Sequence, residues 1–482
     1  MRISEDHFRC QCIYETQYGL QEGLTQYSQQ PSRVALVYAT ESSDPIRVYD
    51  PLDLLQGHEP KFKELYLEND DWRHATSGPS DLPDGRAMIE AVNPELTGLI
   101  SWGGRSRSVF YQMWFAQHHP DMCHIGPTER WLEQAAYRLS HAFANPQRAY
   151  TGISGQFLRE YATHAVRDYI VDQINLHLGM DTGLRVYPIL YAILDISRTQ
   201  EEGAWPRGEL LFVDPGTVAS VPFLVRFPAH EQPLLINHKH VCKLLLASEG
   251  SSRTLVSDGQ MILGIAAGQP PSFRFSAEFC GRHGFIRIRD ELLCSFCDGS
   301  FHSSTMRANL VQLEEALLEA NLDPQVRTRL FRTVSDIVHL AQHKKHGCSL
   351  VLDLQESPME IAGQDLEQSL DLQDAELMEL AQSLAMVDGA LHVGADLQLH
   401  RFACLLDGRS TGTEDRARGA RFNSAIRFTA ERPGVIVVVV SSDRKVYVIQ
   451  EGVEISAQCR WAPVSGYPLM PPTMEAWLTR QD

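Results

Sequence analysis

Apolar residues in this chain follow two rhythms, short unbroken runs and a three-to-four-residue spacing, and the alternation between them marks out its elements. Arg33 to Ala39 (RVALVYA) has the length of a buried strand, and Arg47-Val48-Tyr49 begins another. The first 30 or so residues are polar and glutamine-rich with little period, and they predict no regular element. Asp70 to Gly85 (DDWRHATSGPSDLPDG) predicts a long loop from its glycine, proline and aspartate content. From Gln156 to Leu178, the spacing of Leu158, Ala162, Ala165, Tyr169 and Asp172, with an apolar stripe widened by Val166 and Ile170, predicts one amphipathic helix stopped by Gly179.

Tyr187 to Leu194, Glu209 to Val213 and Val221 to Val225 have strand length, with Asp214-Pro215-Gly216 as a turn. His238 to Gly268 predicts a short helix and a hairpin that turns at Asp258-Gly259. Helical spacing returns at Leu310, Leu313 and Leu317, and again after Asp323-Pro324 at Val326, Leu330, Val334, Ile337 and Ala341.

The last third changes character. Ser349 to Leu354 (SLVLDL) is an apolar strand, and Leu377, Leu380, Ala381 and Leu384 mark a helix before Asp388-Gly389-Ala390. Gly419-Ala420-Arg421-Phe422-Asn423-Ser424-Ala425 leads into a second helix, with Asn423 or Ser424 as its N-cap and Pro433-Gly434 as its break. A glycine-led helix start offers backbone N–H groups and a positive dipole end to an anion, and Arg421 adds a bidentate donor. Val435 to Val440 then forms a buried strand that delivers Ser441-Ser442-Asp443 to its C-terminal end.

Length sharpens this division. A chain of 482 residues exceeds one ordinary domain. The pattern predicts an α/β region over 1–180, an α+β sensor-like region over 181–324, and a last domain over 325–482. The net charge of −18 argues against a nucleic-acid partner. The acidic N-terminus (MRISEDHFRCQCIYE) does not resemble a signal peptide, and Val435 to Val440 is far short of a membrane span. No membrane partner and a cytoplasmic location are therefore expected. Charge is also uneven: residues 354–388 carry nine acids and no Lys or Arg, while 401–445 carry nine Lys and Arg against five acids. That reversal suits a phosphate-rich ligand, and a solvated basic face looks the same.

Ten cysteines in so long a chain do not make a disulfide framework. The spacing Cys280-x2-His283-x10-Cys294-x2-Cys297 fits a structural zinc site, and equally fits two strands with cysteines as small buried apolar residues. His118, His119 and His124 match no common ligand spacing and read as packing or surface histidines.

Asp-Gly alone says little, because it occurs five times here and is usually a turn. In order, however, the strand, Asp388-Gly389-Ala390, the Gly-x-Arg helix entry, the apolar strand and a Ser-plus-acid ending resemble the diadenylate cyclase domain, over roughly residues 340 to 455. The resemblance implies a mixed β-sheet flanked by helices that joins two ATP molecules into cyclic di-AMP, with two protomers facing each other. It implies that Asp388 and Asp443 hold Mg2+ or Mn2+. Gly389 and Ala390 lie beside the nucleoside, while Arg421 and the helix start, with Ser441 and Ser442, bind ATP. The family's usual Arg-His-Arg stands here as Arg421-Phe422-Asn423, and its Ser-Glu-Glu as Ser441-Ser442-Asp443. Arg416 or Arg418 could supply the charge that this change removes. An active cyclase, a cyclase of altered nucleotide choice and an inactive nucleotide-binding sensor all remain open.

Overall fold

Trp131 donates its indole N–H to the Leu158 carbonyl (2.8 Å), and this one bond interrupts what the spacing predicts as a continuous helix. The Leu158 carbonyl would otherwise accept the N–H four residues on. Two helices result, Ile153–Arg159 and Ala162–Leu178. They belong to a computed structural model that describes residues 5–74, 88–144, 152–179, 183–249, 253–268, 274–305, 310–344 except 321, 346–409 except 356, 418–441, 446–455 and 470–479.

The chain divides into two units, Met1–Thr305 with Cys459–Asp482, and Met306–Gln458. The cut falls before residue 325 because the helix Val311–Glu319 places Leu313 and Leu317 in the same core as Leu330, Val334 and Ile337 of the next helix, Pro324–Lys344. One apolar core runs from Leu20, Trp114 and Trp131 through Ile189 to Phe212, Phe275 and Phe296.

In the first unit, Glu5–Ser28 is a 24-residue helix where composition predicts none. Its buried face includes Thr16, Gln17 and Gln21 beside Ile13, Leu20 and Leu24. Gln17 donates to the Gln21 side chain (2.7 Å), so the two glutamines are buried as a pair and blur the apolar period. A Cβ on Gly19 would lie 2.2 Å from the Gly155 carbonyl oxygen, so the glycine lets the helix meet Ile153–Arg159 backbone to backbone. Tyr187 to Leu194 lies in a helix, Val186–Ser197, not in a strand. Its exposed face is Pro188, Tyr191 and Asp195, of which only Asp195 is charged, so little polar stripe distinguishes the helix in sequence.

Five antiparallel strands, in the order Arg47–Tyr49, Val34–Ala39, Tyr111–Gln117, Leu99–Arg105 and Ile89–Glu90, form one sheet. A second, eight-stranded sheet spans Arg207–Phe212 to Ser300–His302 in sequence. The helix His238–Ala247 and the hairpin Arg253–Ser257 with Ile262–Ala267 stand where their spacing predicts them. Asp71–His74 is a helical turn, and residues 75–87 of the expected loop lie outside the described residues.

Residues near the C-terminus complete this unit. Arg47 bridges to Thr473, the Val48 N–H donates to the Pro472 carbonyl (3.0 Å), and the Met474 N–H donates to the Ile46 carbonyl (2.9 Å). Met474 and Trp477 of the helix Met474–Leu478 then fill a core with Phe62, whose ring meets the indole edge-on at 6.0 Å.

Cys294 stands apart from the other three residues of the zinc-like spacing. Cys280 ends the strand Phe275–Cys280, and His283 pairs with Cys297 across the next hairpin. Cys294 pairs with Ile286 farther along and is fully buried in the apolar core. Residues three apart on a strand face opposite ways, so Cys294 and Cys297 cannot share a metal from one regular strand. Among the described residues no group of three or more His, Cys, Asp or Glu could hold a metal ion. His119 hydrogen-bonds Ser32 (2.9 Å), and the Gly126 N–H donates to His124 (2.9 Å), so both histidines act in local packing.

The second unit is a seven-stranded mixed sheet with helices on both faces. In spatial order its strands are Gln364–Asp371, Gln398–Cys404, Ala390–Gly394, Cys348–Asp353, Val435–Val440, Val446–Gln450 and Val453–Glu454. Only the central pair, Cys348–Asp353 with Ala390–Gly394, is parallel. Alternation along it builds two cores. Leu350 and Leu352 face the side of Val334 and Ile337, while Val351 faces Phe422 and Phe428 of the helix Ala420–Ala430. Three acids of the acidic stretch, Asp365, Glu367 and Asp371, lie on the edge strand Gln364–Asp371, where their charge discourages edge-to-edge pairing. No helix among the described residues is long and apolar enough to cross a membrane.

Candidate nucleotide site

Asp388 owes its position to the glycine after it. Gly389 has φ +111°, and a Cβ there would lie 2.5 Å from the Ala403 carbonyl carbon. Only glycine lets the chain turn into Ala390–Gly394 so close to the neighbouring strand. Asp388 is left at the mouth of the sheet with its side chain 98% exposed, while Ala390 is buried.

Arg421 reaches Asp388 from the next helix, with Nη2 2.9 Å from Oδ1. That helix, Ala420–Ala430, begins earlier than the expected caps at Asn423 or Ser424. Its N-cap is Gly419, extended at φ −65° and ψ 166°, and no side chain caps it. First-turn N–H groups are thus presented to an anion without a competing hydroxyl or carboxylate.

Asp388 and Arg421 open onto one cavity of about 910 Å3. Gly389, Ala390, Gly419 and Ala420 line it, as do Phe422, Ser424 and Ser441. Asn423 is not among the lining residues: its amide donates to the Arg418 carbonyl (3.2 Å). Ser442 and Asp443 lie outside the described residues, as does Arg416. Phe422 is only 6% exposed and sits edge-on to Tyr447, with centroids 5.1 Å apart. A buried ring replaces the family histidine, so Phe422 is part of the floor and cannot serve as a phosphate donor.

Sequence reasoning misses Tyr447, Cys404 and Leu406 as lining residues, because nothing in their local pattern separates them from ordinary strand and loop positions. Burial pushes the Cys404 thiol up to about 11, and that of Cys348 near Arg421 up to about 12. Both therefore stay protonated at neutral pH and are poor nucleophiles.

A second acid–base pair lies at the far end of the same two strands. The register pairs Ser349 with Ala390 at the cavity end and Asp353 with Gly394 at the other. His392 Nε2 is 3.2 Å from Asp353 Oδ2, and both side chains are 1% exposed or less. Asp353 also accepts the N–H groups of Gln355 (3.1 Å) and Met359 (2.7 Å). Burial alone would raise this carboxyl, but the hydrogen bonds from His392, Met359 and Gln355 hold it below its ordinary value.

Residues 336–453 match the model for the DisA bacterial checkpoint controller nucleotide-binding family, abbreviated DAC. The chain carries a DAC domain. Upstream, residues 7–180 match the probable sensor domain DACND, and 187–294 match the probable sensor domain DACNH. The matched stretch of the second unit is thus similar to a nucleotide-binding family. No curated protein matches the chain. Among solved structures, it is similar to a hypothetical membrane-spanning protein from Bacillus cereus at 19% identity, covering 30% of this chain and 69% of that one, with a TM-score of 0.24. It is also similar to a double mutant of DacA from Staphylococcus aureus at 14% identity, covering 32% and 93%, with a TM-score of 0.21.

Proposed function

We propose that the DAC domain is a nucleotidyltransferase that condenses two ATP into cyclic di-AMP with release of pyrophosphate, under control of the sensor regions. The observation that carries this reading is the gathering of Asp388, the Gly389 turn, the uncapped helix start and Arg421 around one cavity, in a unit that matches the DAC model.

In this reading Arg421 and the first-turn N–H groups hold the triphosphate and stabilise charge moving onto pyrophosphate. Each 3′-oxygen forms a bond to an α-phosphorus, and the bond from that phosphorus to the β-phosphate bridge breaks. Two ATP held on facing protomers align both attacks, so the active form is a dimer or larger. A divalent ion fits Asp388, because Mg2+ commonly takes one or two carboxylates and completes its shell with phosphate and water. When bound, Mg2+ or Mn2+ would polarise the attacking hydroxyl and neutralise phosphate charge. Asp443 is proposed as the second acidic ligand.

Incubating the full chain with ATP and either metal should yield a cyclic dinucleotide. No product under either metal, with Asp388→Asn indistinguishable from wild type, would sink the catalytic reading. A second reading, a nucleotide-binding sensor without turnover, draws on Phe422 being buried and Asn423 being engaged by backbone. Tight ATP binding with no product selects it.

A further inference from the structure

We propose that the departures at Phe422 and Asn423 build a seat for Arg418, and that Arg418 is the second triphosphate-binding guanidinium of this DAC domain. The inference rests on the nucleotide-binding part of the function proposed above, and adds a positioning and specificity residue to it.

Three observations meet on this side chain. Arg418 lines the same cavity as Asp388 and Arg421, on the residue just before the Gly419 cap. Its guanidinium carbon lies 4.4 Å from the Phe422 ring centre and 5.1 Å from that of Tyr447. The two rings brace each other edge-on at 5.1 Å, giving the cation a fixed aromatic bed. The Asn423 amide meanwhile holds the Arg418 carbonyl at 3.2 Å, which fixes the backbone that presents the side chain. A histidine at position 422 would offer a smaller, more polar surface, and an arginine at 423 would bring a second like charge beside Arg418.

Glu454 forms an ion pair with Arg418 Nη1. The pair holds the guanidinium, which has five N–H donors and so can serve a carboxylate and a phosphate together. Glu454 also sets a cost, since its negative charge opposes an incoming triphosphate. Both pair members are about one-third exposed, so solvent weakens that opposition without removing it. Arg418 thus restores at one position the charge that Phe422 and Asn423 remove at another.

The test is nucleotide binding by the full chain, measured calorimetrically with a non-hydrolysable ATP analogue and with AMP, each with Mg2+. Arg418→Met, which keeps the stem and loses the charge, should weaken ATP-analogue binding about tenfold while changing AMP binding less than about twofold. Arg418→Lys should recover part of the loss, and Glu454→Gln should tighten ATP-analogue binding. Equal losses for the analogue and AMP, or no loss, overturn the proposal and leave Arg418 a structural residue. If Arg418→Met does not fold, Arg418→Lys and Glu454→Gln still decide, because a weaker or unchanged ATP affinity in Glu454→Gln counts against it. A wild-type chain that binds neither nucleotide overturns the function proposed above; a wild type that binds ATP with no contribution from Arg418 overturns only this inference.

Discussion

At one end of the paired strands Cys348–Asp353 and Ala390–Gly394, a carboxylate meets a guanidinium in open solvent; at the other, a carboxylate meets an imidazole out of solvent altogether. The separations are nearly equal, 2.9 Å for Asp388–Arg421 and 3.2 Å for Asp353–His392. Distance therefore does not distinguish them. Water does. An exposed pair is screened and easily exchanged for a metal ion or phosphate, whereas a buried one is held by the desolvation that breaking it would incur. The same strands keep a replaceable pair where ligands arrive and a permanent pair where the fold closes.

The comparison breaks most visibly in activity. Asp388→Asn should cut cyclic dinucleotide formation by about a thousandfold, matching the several kcal/mol of transition-state stabilisation that a bound metal supplies. Its melting temperature should stay that of wild type. Asp353→Asn should do the reverse, costing about 3 kcal/mol of stability by leaving His392 buried beside a weaker partner. Specific activity of the folded fraction should be kept, as denaturant titration alongside turnover would reveal.

Acid sharpens the contrast. The Asp353 carboxyl is held below its ordinary value in the folded chain, so its stabilising contribution is fully present above the unfolded value of about 3.9. That contribution is lost as pH falls through the lower folded value. Stability measured from pH 6 downward should show this loss in wild type, and Asp353→Asn should lack that component.

Gly389→Ala should cost about 2 kcal/mol, since the added methyl both strains a φ of +111° and meets the Ala403 backbone. It should also displace Asp388, so here, unlike at Asp353, stability and turnover fall together. The smallest expected change is the stability of Arg421→Met, less than about 1 kcal/mol for a solvent-exposed pair. Binding of an ATP analogue should nevertheless weaken clearly, and unchanged binding would remove Arg421 from the site.

The apolar central strands Cys348–Asp353 and Val435–Val440 are legible in sequence, whereas the polar edge strand Gln364–Asp371 is not. Val435–Val440 forms as its composition predicts. The helix entry after Gly419 is legible in kind but not in register. Asn423 looks like a cap, yet its amide is taken by the Arg418 carbonyl and the helix has already begun. Asp353 and His392 stand 39 residues apart and meet only through parallel strand pairing, which no local spacing announces. The helix Glu5–Ser28 hides for another reason: its buried glutamines look like surface residues because their partners are other polar side chains.

Met474 and Trp477 belong to the first unit's core, although they follow the whole DAC domain in the chain. On a ribosome the seat around Phe62 is therefore made well before the segment that fills it. At ordinary elongation rates, roughly 10–30 s separate Thr305 from Trp477. Through that interval the apolar seat around Phe62 lacks the Met474 and Trp477 side chains that fill it. A chain that stops before Met474 leaves that core without two of its side chains.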